Sequence, residues 1–215
     1  MAAGDRPVSI AGDCCAAIPV LTGLQRAGLA PRLLWLDAHG DFNTPRTTLS
    51  GMLGGMPVAV CAGLAHPTWR QRSHIVAPLP TDRILMVDVR NLDPPEAQLI
   101  HATDVAIAAA APGFPGTELE PAVAALAERC DLLYLHVDSD ILDARFVPNH
   151  GTRAPNGPNL SQVQAALDTV MATGKVAAFA VVSVYGAGAG SDISVASGCA
   201  LIHCGLGSWR PHGIA

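Results

Sequence analysis

Four runs of almost uninterrupted apolar residues constrain the fold of this chain more than any other feature. The runs span residues 32–36, 83–89, 132–137 and 176–184. Helical patterns at residues 16–27, 94–101, 120–129 and 160–172 alternate with them. Ser161 is the expected cap of the fourth helix, and a last helix is expected through Cys199. Strands without polar alternation that are separated by helices are typical of a parallel sheet covered on both faces. The sequence therefore predicts an α/β fold with a mainly parallel sheet.

Composition narrows the class of protein. The chain has 215 residues, of which 50% are hydrophobic and 14% charged, so we expect one domain over residues 1–215 with a large core. A net charge of −5 without a basic block argues against nucleic acid as a partner. No apolar run reaches the ~18 residues of a membrane helix. Six cysteines without a C-x-x-C pair, and no signal-peptide pattern, favour a reducing cytoplasm.

Polar side chains follow the first apolar run at once. The stretch Asp37-Ala38-His39-Gly40-Asp41 alternates three metal-ligand side chains with two small residues. A near-extended backbone would send all three to one face, with same-face neighbours about 6–7 Å apart. That spacing is wide for one ion, and it suits either a strand end that curls or a pair of ions about 3.5–4 Å apart.

A second acidic cluster follows the third apolar run. Asp138 and Asp140 flank Ser139 there, and the carboxyl ends of parallel strands meet at one edge of the sheet. Carboxylates brought together repel unless a cation neutralises them, and oxygen ligands with one imidazole suit manganese or magnesium. A metal site is the favoured interpretation, and a polar strand end with a capping aspartate is the alternative.

Two long segments resemble a known family. DAHGDFNTPRTTLSGMLGGMP, residues 37–57, and HVDSDILDARFVPNHGTRAPNGPNLSQV, residues 136–163, resemble the arginase/agmatinase (ureohydrolase) family. The resemblance implies a three-layer α/β/α fold and a two-manganese centre. It also implies that a metal-bound hydroxide attacks the carbon of a guanidinium or related amidine. A homo-oligomer, trimer or hexamer, is the expected assembly.

The resemblance also assigns residues by position. The implied metal ligands are Asp37, His39, Asp41, Asp138, Asp140 and, where the family has histidine, Cys14. Asp41 would in addition orient the hydroxide as a catalytic residue. The implied substrate-binding residues are Asn43, Thr48 and Ser50, for an α-carboxylate, and Asp93, for an α-amino group.

The chain departs from the family pattern at several positions. Cys14 replaces a ligand histidine, and a thiolate matches Mn(II) poorly. Gly54 replaces the proton-shuttling histidine, and no glutamate follows Glu128 although the family has one near Val184. The first motif begins at residue 12, where the family carries several tens of residues before it, including an edge strand and a helix, so we expect an arginase-like fold that is short at the N-terminus.

Cys14 and the Leu-Gly-Gly-Met loop resemble one branch of the family, the Nω-hydroxy-arginine amidinohydrolases of cycloserine biosynthesis. This resemblance implies one manganese ion and a hydroxyguanidine substrate.

Three hypotheses stay open. The first is a manganese-dependent amidinohydrolase, with one or two ions. The second is an impaired member that acts as a metal-binding or scaffold protein, and the third is another metal hydrolase. His150 is a further candidate, because its loop follows the second cluster and could reach the site.

Overall fold

The computed structural model describes residues 6–209. Within that range the strands are β1 (Val8–Ala11), β2 (Arg32–Leu36), β3 (Ile84–Val87), β4 (Ala106–Ala108), β5 (Leu133–Asp138) and β6 (Val176–Val182). The α-helices are α1 (Ala17–Arg26), α2 (Pro57–Cys61), α3 (Pro67–Arg72), α4 (Pro94–His101), α5 (Leu119–Glu128), α6 (Leu160–Met171) and α7 (Ser191–Ser208).

The six strands form one sheet in the order β1-β6-β5-β2-β3-β4, and every pair is parallel. Side chains from α1, α2 and α4 pack on one face, and side chains from α5, α6 and α7 pack on the other. Strands β2, β5 and β6 are buried along their whole length. The predicted α/β class with three layers and a parallel sheet is confirmed.

Most predicted elements are present within one or two residues, and three details differ. Helix α3 was not predicted, because its six residues show no apolar stripe. Helix α6 is capped by Asn159, whose side chain accepts the Gln162 N–H, although the expected cap was Ser161. Helix α7 continues to Ser208 instead of ending near Cys199, because the residues after Cys199 are mainly small or apolar and continue the helix.

The strand order brings distant parts of the sequence to one edge. Strands β6, β5, β2 and β3 are neighbours, so the residues that follow them meet beyond their carboxyl ends. No helix in the described part of the chain has the length and apolar character needed to cross a membrane.

Candidate metal centre

The turn after β2 gathers the first ligand group by folding, and the extended backbone expected there is not what the structure has. The Asp37 carboxylate accepts the backbone N–H of His39 at 2.7 Å. Asp41 has a φ of 45°, in the left-handed region. Between them, a Cβ on Gly40 would lie 2.9 Å from the Ile100 side chain. The strand end therefore curls, and Asp37 belongs to one ligand group with His39 and to another with Asp41.

A similar turn follows β5. The Asp138 carboxylate accepts the backbone N–H of Asp140 at 2.9 Å and starts a short 3-10 helix, Ser139–Ile141. The other Asp138 oxygen, Oδ2, accepts the Ser183 hydroxyl at 2.6 Å from the end of β6. Both turns use a carboxylate to cap its own loop, so the acids are held rigidly before any cation arrives.

The two turns bring every predicted metal ligand together. Three groups have ligand atoms within 4.8 Å of one another, and the groups share members. They are Cys14 with Asp37 and Asp41, Asp37 with His39 and Asp140, and Asp138 with Asp140 and His150.

The charges of the cluster are balanced only in part. Burial raises the pKa of Asp37 and of Asp41 well above the ordinary value, and neighbouring carboxylates raise it further. Burial opposes a charge on His39 too, but hydrogen bonds to Asp140 and Asp37 outweigh it and raise its pKa to about 11. Without a metal, the cluster therefore holds protons in place of a cation.

Cys14 points into the same cluster from the segment after β1. Its Sγ lies 3.1 Å from Asp138 Oδ2 and 3.5 Å from Asp37 Oδ2. Burial raises the pKa of this thiol well above its usual range, and the acids, Asp138 foremost, raise it further. Behind it, His136 Nε2 lies 3.3 Å from the sulfur. A neutral thiol therefore occupies the position of a ligand.

Arg90 fixes the polypeptide around the second cluster. Its buried guanidinium pairs with Asp88 and donates to the carbonyl oxygens of Asp140, Ile141, Leu142, Ala154 and Pro155. This clamp ties the Asp140 turn to the loop that contains His150. Burial raises the pKa of Asp88 to about 6, in spite of the Arg90 charge.

The residues present fit a manganese ion on the His39 side of the cluster, which consists of Asp37, His39 and Asp140. The donors there are carboxylate oxygens and one imidazole, the set that a hard divalent cation prefers. Asp140 Oδ1 is buried and has no hydrogen-bond partner, so one of its lone pairs is unused. The fit is poorer on the Cys14 side, which consists of Cys14, Asp37 and Asp41, because the third donor there is a protonated thiol.

A cavity of about 600 Å³ opens above the cluster, and all four predicted substrate-binding residues line it. Asn43 donates to Asp93 Oδ2 at 3.2 Å, and the same oxygen accepts the Leu49 N–H. Thr48 and Ser50 lie on the outer loop of the cavity. At the end of β6 the wall carries the neutral Ser183 and Tyr185, where the family pattern has glutamate. The roles of these residues stay predictions.

Some lining residues were not singled out from the sequence. Thr152 donates to Asp140 Oδ2 at 3.0 Å, and the Asn91 amide lies 3.0 Å from His39 Nε2. The available signals were that Asn91 follows the end of β3 and that Thr152 belongs to the same loop as His150. Asp143 stabilises the loop that follows, because its carboxylate accepts the N–H groups of Arg145 and Gly157.

The fold and the acid-rich edge together define an α/β protein with a candidate metal centre. A family model described as the arginase family matches residues 1–207. The chain belongs to the arginase family.

Individual relatives agree with this assignment. Arginase from Bacillus caldovelox is 30% identical over 169 residues, which cover 77% of this chain and 56% of that protein. Arginase from Eremothecium gossypii is 29% identical over 214 residues, covering 95% and 54%. The chain thus spans a little over half the length of these curated relatives.

Solved structures show the same fold. The B. caldovelox arginase structure has a TM-score of 0.80 at 26% identity, over 99% of this chain and 70% of that one. The Entamoeba histolytica arginase complex with L-ornithine has a TM-score of 0.81 at 23% identity, over 93% and 69%.

Proposed function

We propose that this chain is a manganese-dependent hydrolase of a linear amidine, a guanidino or hydroxyguanidino compound, with one or two ions. The observation that carries the proposal is the convergence of four carboxylates and His39 beneath an acid-lined cavity. Manganese held there would make a bound water nucleophilic at neutral pH and polarise the amidine. The other contributions come from the residues of the chain itself.

The residues would divide the work by position. Asp37, His39, Asp41, Asp138 and Asp140 would hold the one or two ions, and the Asp41 carboxylate would also orient the attacking water. The acids that line the cavity attract a cationic substrate and exclude anions. At the outer loop, Asn43, Thr48 and Ser50 would bind a substrate carboxylate and Asp93 an amino group.

A hydroxyguanidine such as hydroxyarginine suits the cavity better than arginine. Its pKa is lower than that of guanidine, so the leaving group needs less help from an acid. Gly54 has no side chain that could donate a proton to the leaving group. On the β6 side of the cavity, the Ser183 hydroxyl already donates its proton to Asp138. The neutral wall at Ser183 and Tyr185 also favours a substrate with less positive charge. We place the enzyme in the cytoplasm, as a trimer or hexamer.

Product release tests this proposal directly. The manganese-loaded protein should release hydroxyurea from Nω-hydroxy-L-arginine faster than urea from L-arginine or agmatine. Asp37→Asn should abolish release, whereas Asp104→Asn, at an exposed position outside the cavity, should not change it. A metal-loaded protein that forms no product from any of the three compounds would overturn the proposal.

A second candidate is an impaired family member that acts as a metal-binding or scaffold protein. The neutral residues at the end of β6 favour it, because nothing there pairs with a guanidinium. Metal analysis of the purified protein separates the two candidates in part. Stoichiometric manganese argues against a metal-free scaffold, and the product assay then decides between a catalyst and a binding protein.

A further inference from the structure

His150 is the buried side chain of this site that the proposed function does not use. Only 3% of the residue is exposed, and its Nε2 has no hydrogen-bond partner. Nε2 lies 3.4 Å from Asp138 Oδ1. The nearby Asp140 Oδ1 is buried and unpartnered as well. His150 and Asp140 thus each have an unused buried atom, and ligand atoms of Asp138, Asp140 and His150 lie within 4.8 Å of one another.

The contacts of Thr152 show which ring nitrogen of His150 is free to bind a ligand. The Thr152 hydroxyl donates its only proton to Asp140 Oδ2 at 3.0 Å, since a carboxylate can only accept. The same hydroxyl oxygen lies 3.2 Å from His150 Nδ1 and can accept a proton from it. The Thr152 backbone N–H can instead donate to Nδ1, at 3.3 Å, when that nitrogen is unprotonated. Thr152 therefore contacts Nδ1 in either tautomer, and Nε2 is the ring nitrogen that faces Asp138.

His150 Nε2 and the buried carboxylate of Asp138 face each other favourably only when a proton or a metal cation lies between them. A metal-binding histidine commonly donates its other ring N–H to a neighbouring acceptor, and Thr152 is such an acceptor here. We infer that His150 Nε2 binds a divalent cation together with Asp138 and Asp140. His150 thereby supplies a second imidazole to a site in which Cys14 stands in a ligand position. The inference rests on the proposed metal centre.

The His39→Ala background isolates the contribution of His150. In that variant His150 is the one imidazole left in the cluster, because His136 lies on the far side of Cys14. Pulsed electron paramagnetic resonance of the Mn(II)-loaded variant should still detect coupling to an imidazole nitrogen. Adding His150→Ala should remove the coupling, whereas adding His203→Ala, at an exposed position in α7, should leave it.

Thr152 provides a graded test of the same geometry. Thr152→Val removes the acceptor for Nδ1–H and should weaken Mn(II) binding by about 10–100-fold, the usual effect of losing such a partner. Thr152→Ser keeps the hydroxyl and should restore the affinity. Circular dichroism confirms that each variant is folded.

Two results would overturn the inference: folded His39→Ala that binds no Mn(II), or bound Mn(II) without nitrogen coupling. A protein that holds manganese through His150 but releases no product would overturn the proposed function and leave this inference standing.

Discussion

The His39 side and the Cys14 side of the carboxylate cluster share Asp37, but one is completed by an imidazole and the other by a thiol. On the His39 side, the imidazole Nδ1 lies 3.3 Å from Asp37 Oδ1 and 3.2 Å from Asp140 Oδ2. On the Cys14 side, a thiol lies 3.1 Å from Asp138 Oδ2. The pKa of His39 is raised to about 11, so that side already holds a positive charge. The Cys14 side holds none, so similar acids create two different sites.

The side chains that contact His39 and Cys14 from behind the cluster also differ. His39 is backed by the polar amide of Asn91, which can present its oxygen to a ring N–H. Cys14 is backed by His136, which stacks on Trp35 at 4.0 Å and contacts the Tyr134 hydroxyl. Burial lowers the pKa of His136 to about 3, so it is a neutral neighbour. The His39 side is therefore arranged to receive a cation, and the Cys14 side is arranged around an uncharged sulfur.

Removing the carboxylate between Cys14 and His150 has the largest expected effect. Asp138 Oδ2 lies 3.1 Å from Cys14 Sγ and Asp138 Oδ1 lies 3.4 Å from His150 Nε2, so Asp138→Asn removes a negative charge next to both donors. We expect Mn(II) affinity to fall by more than the roughly 100-fold upper range for an outer partner. Isothermal titration calorimetry measures the change.

Asp168→Asn is the matched control for Asp138→Asn, because Asp168 belongs to α6 and its hydrogen bonds run to Ser208 of α7. Wild-type affinity in Asp138→Asn would show that this carboxylate is not a metal ligand.

Loss of the amide behind His39 should have the next largest effect. When Nδ1 binds the ion, Nε2 carries the proton and needs an acceptor. Asn91→Leu removes that acceptor and should weaken Mn(II) binding by about 10-fold or more. Asn91→Asp keeps an acceptor and should retain the affinity. Equal affinities for Leu and Asp at this position would mean that the ring is oriented by the carboxylates alone.

Converting the Cys14 side into a histidine site should have a smaller effect. His136 Nε2 lies 3.3 Å from the sulfur, so the larger ring needs space, and we combine Cys14→His with His136→Ala. The double variant should bind at least one additional Mn(II) equivalent, counted by elemental analysis after dialysis. His136→Ala alone is the control and should bind the wild-type number. An unchanged count in the double variant would show that the thiol is not what limits this side.

Much of the fold was predictable because it depends on local patterns. Continuous apolar runs at β2, β5 and β6 predicted strands buried on both faces, and the structure has them. Helix α3 was missed because its six residues make fewer than two helical turns, which is too short for a periodic apolar pattern. The cap of α6 was misassigned by two residues because serine and asparagine both favour that position.

The site was predictable as a set of residues but not as a geometry. The ligand residues follow strand ends, so a parallel sheet had to bring them to one edge. The curl after β2 depends on the hydrogen bond that the His39 backbone N–H donates to the Asp37 carboxylate and on the left-handed backbone of Asp41, and neither can be read from residue spacing. The inward path of His150 depends on Arg90, which lies 60 positions earlier in the sequence and clamps the loop through Ala154.

The pH dependence of stability should show the smallest effect. The folded-state pKa of His39 is about 11 against an ordinary 6.5, so its contribution is fully present below pH 6.5 and is lost as the pH rises toward 11. The raised pKa of Asp37 and Asp41 acts in the same direction, because the folded state binds more protons than the unfolded state. His136 and Asp140 have lowered pKa values and do not oppose this trend. Above pH 6.5, His136 is mainly neutral and Asp140 is ionised, in the folded and the unfolded state alike.

The Tm of the chelator-treated protein should therefore fall between pH 6.5 and about pH 9, by about 2–4 °C for each kcal/mol lost. Saturating Mn(II) should flatten or reverse this slope, because metal binding requires deprotonated donors. His39→Asn should flatten it without metal. A metal-free Tm that rises over this range would mean that His39 is not held as a cation, and the contrast in charge between the two sides would not exist.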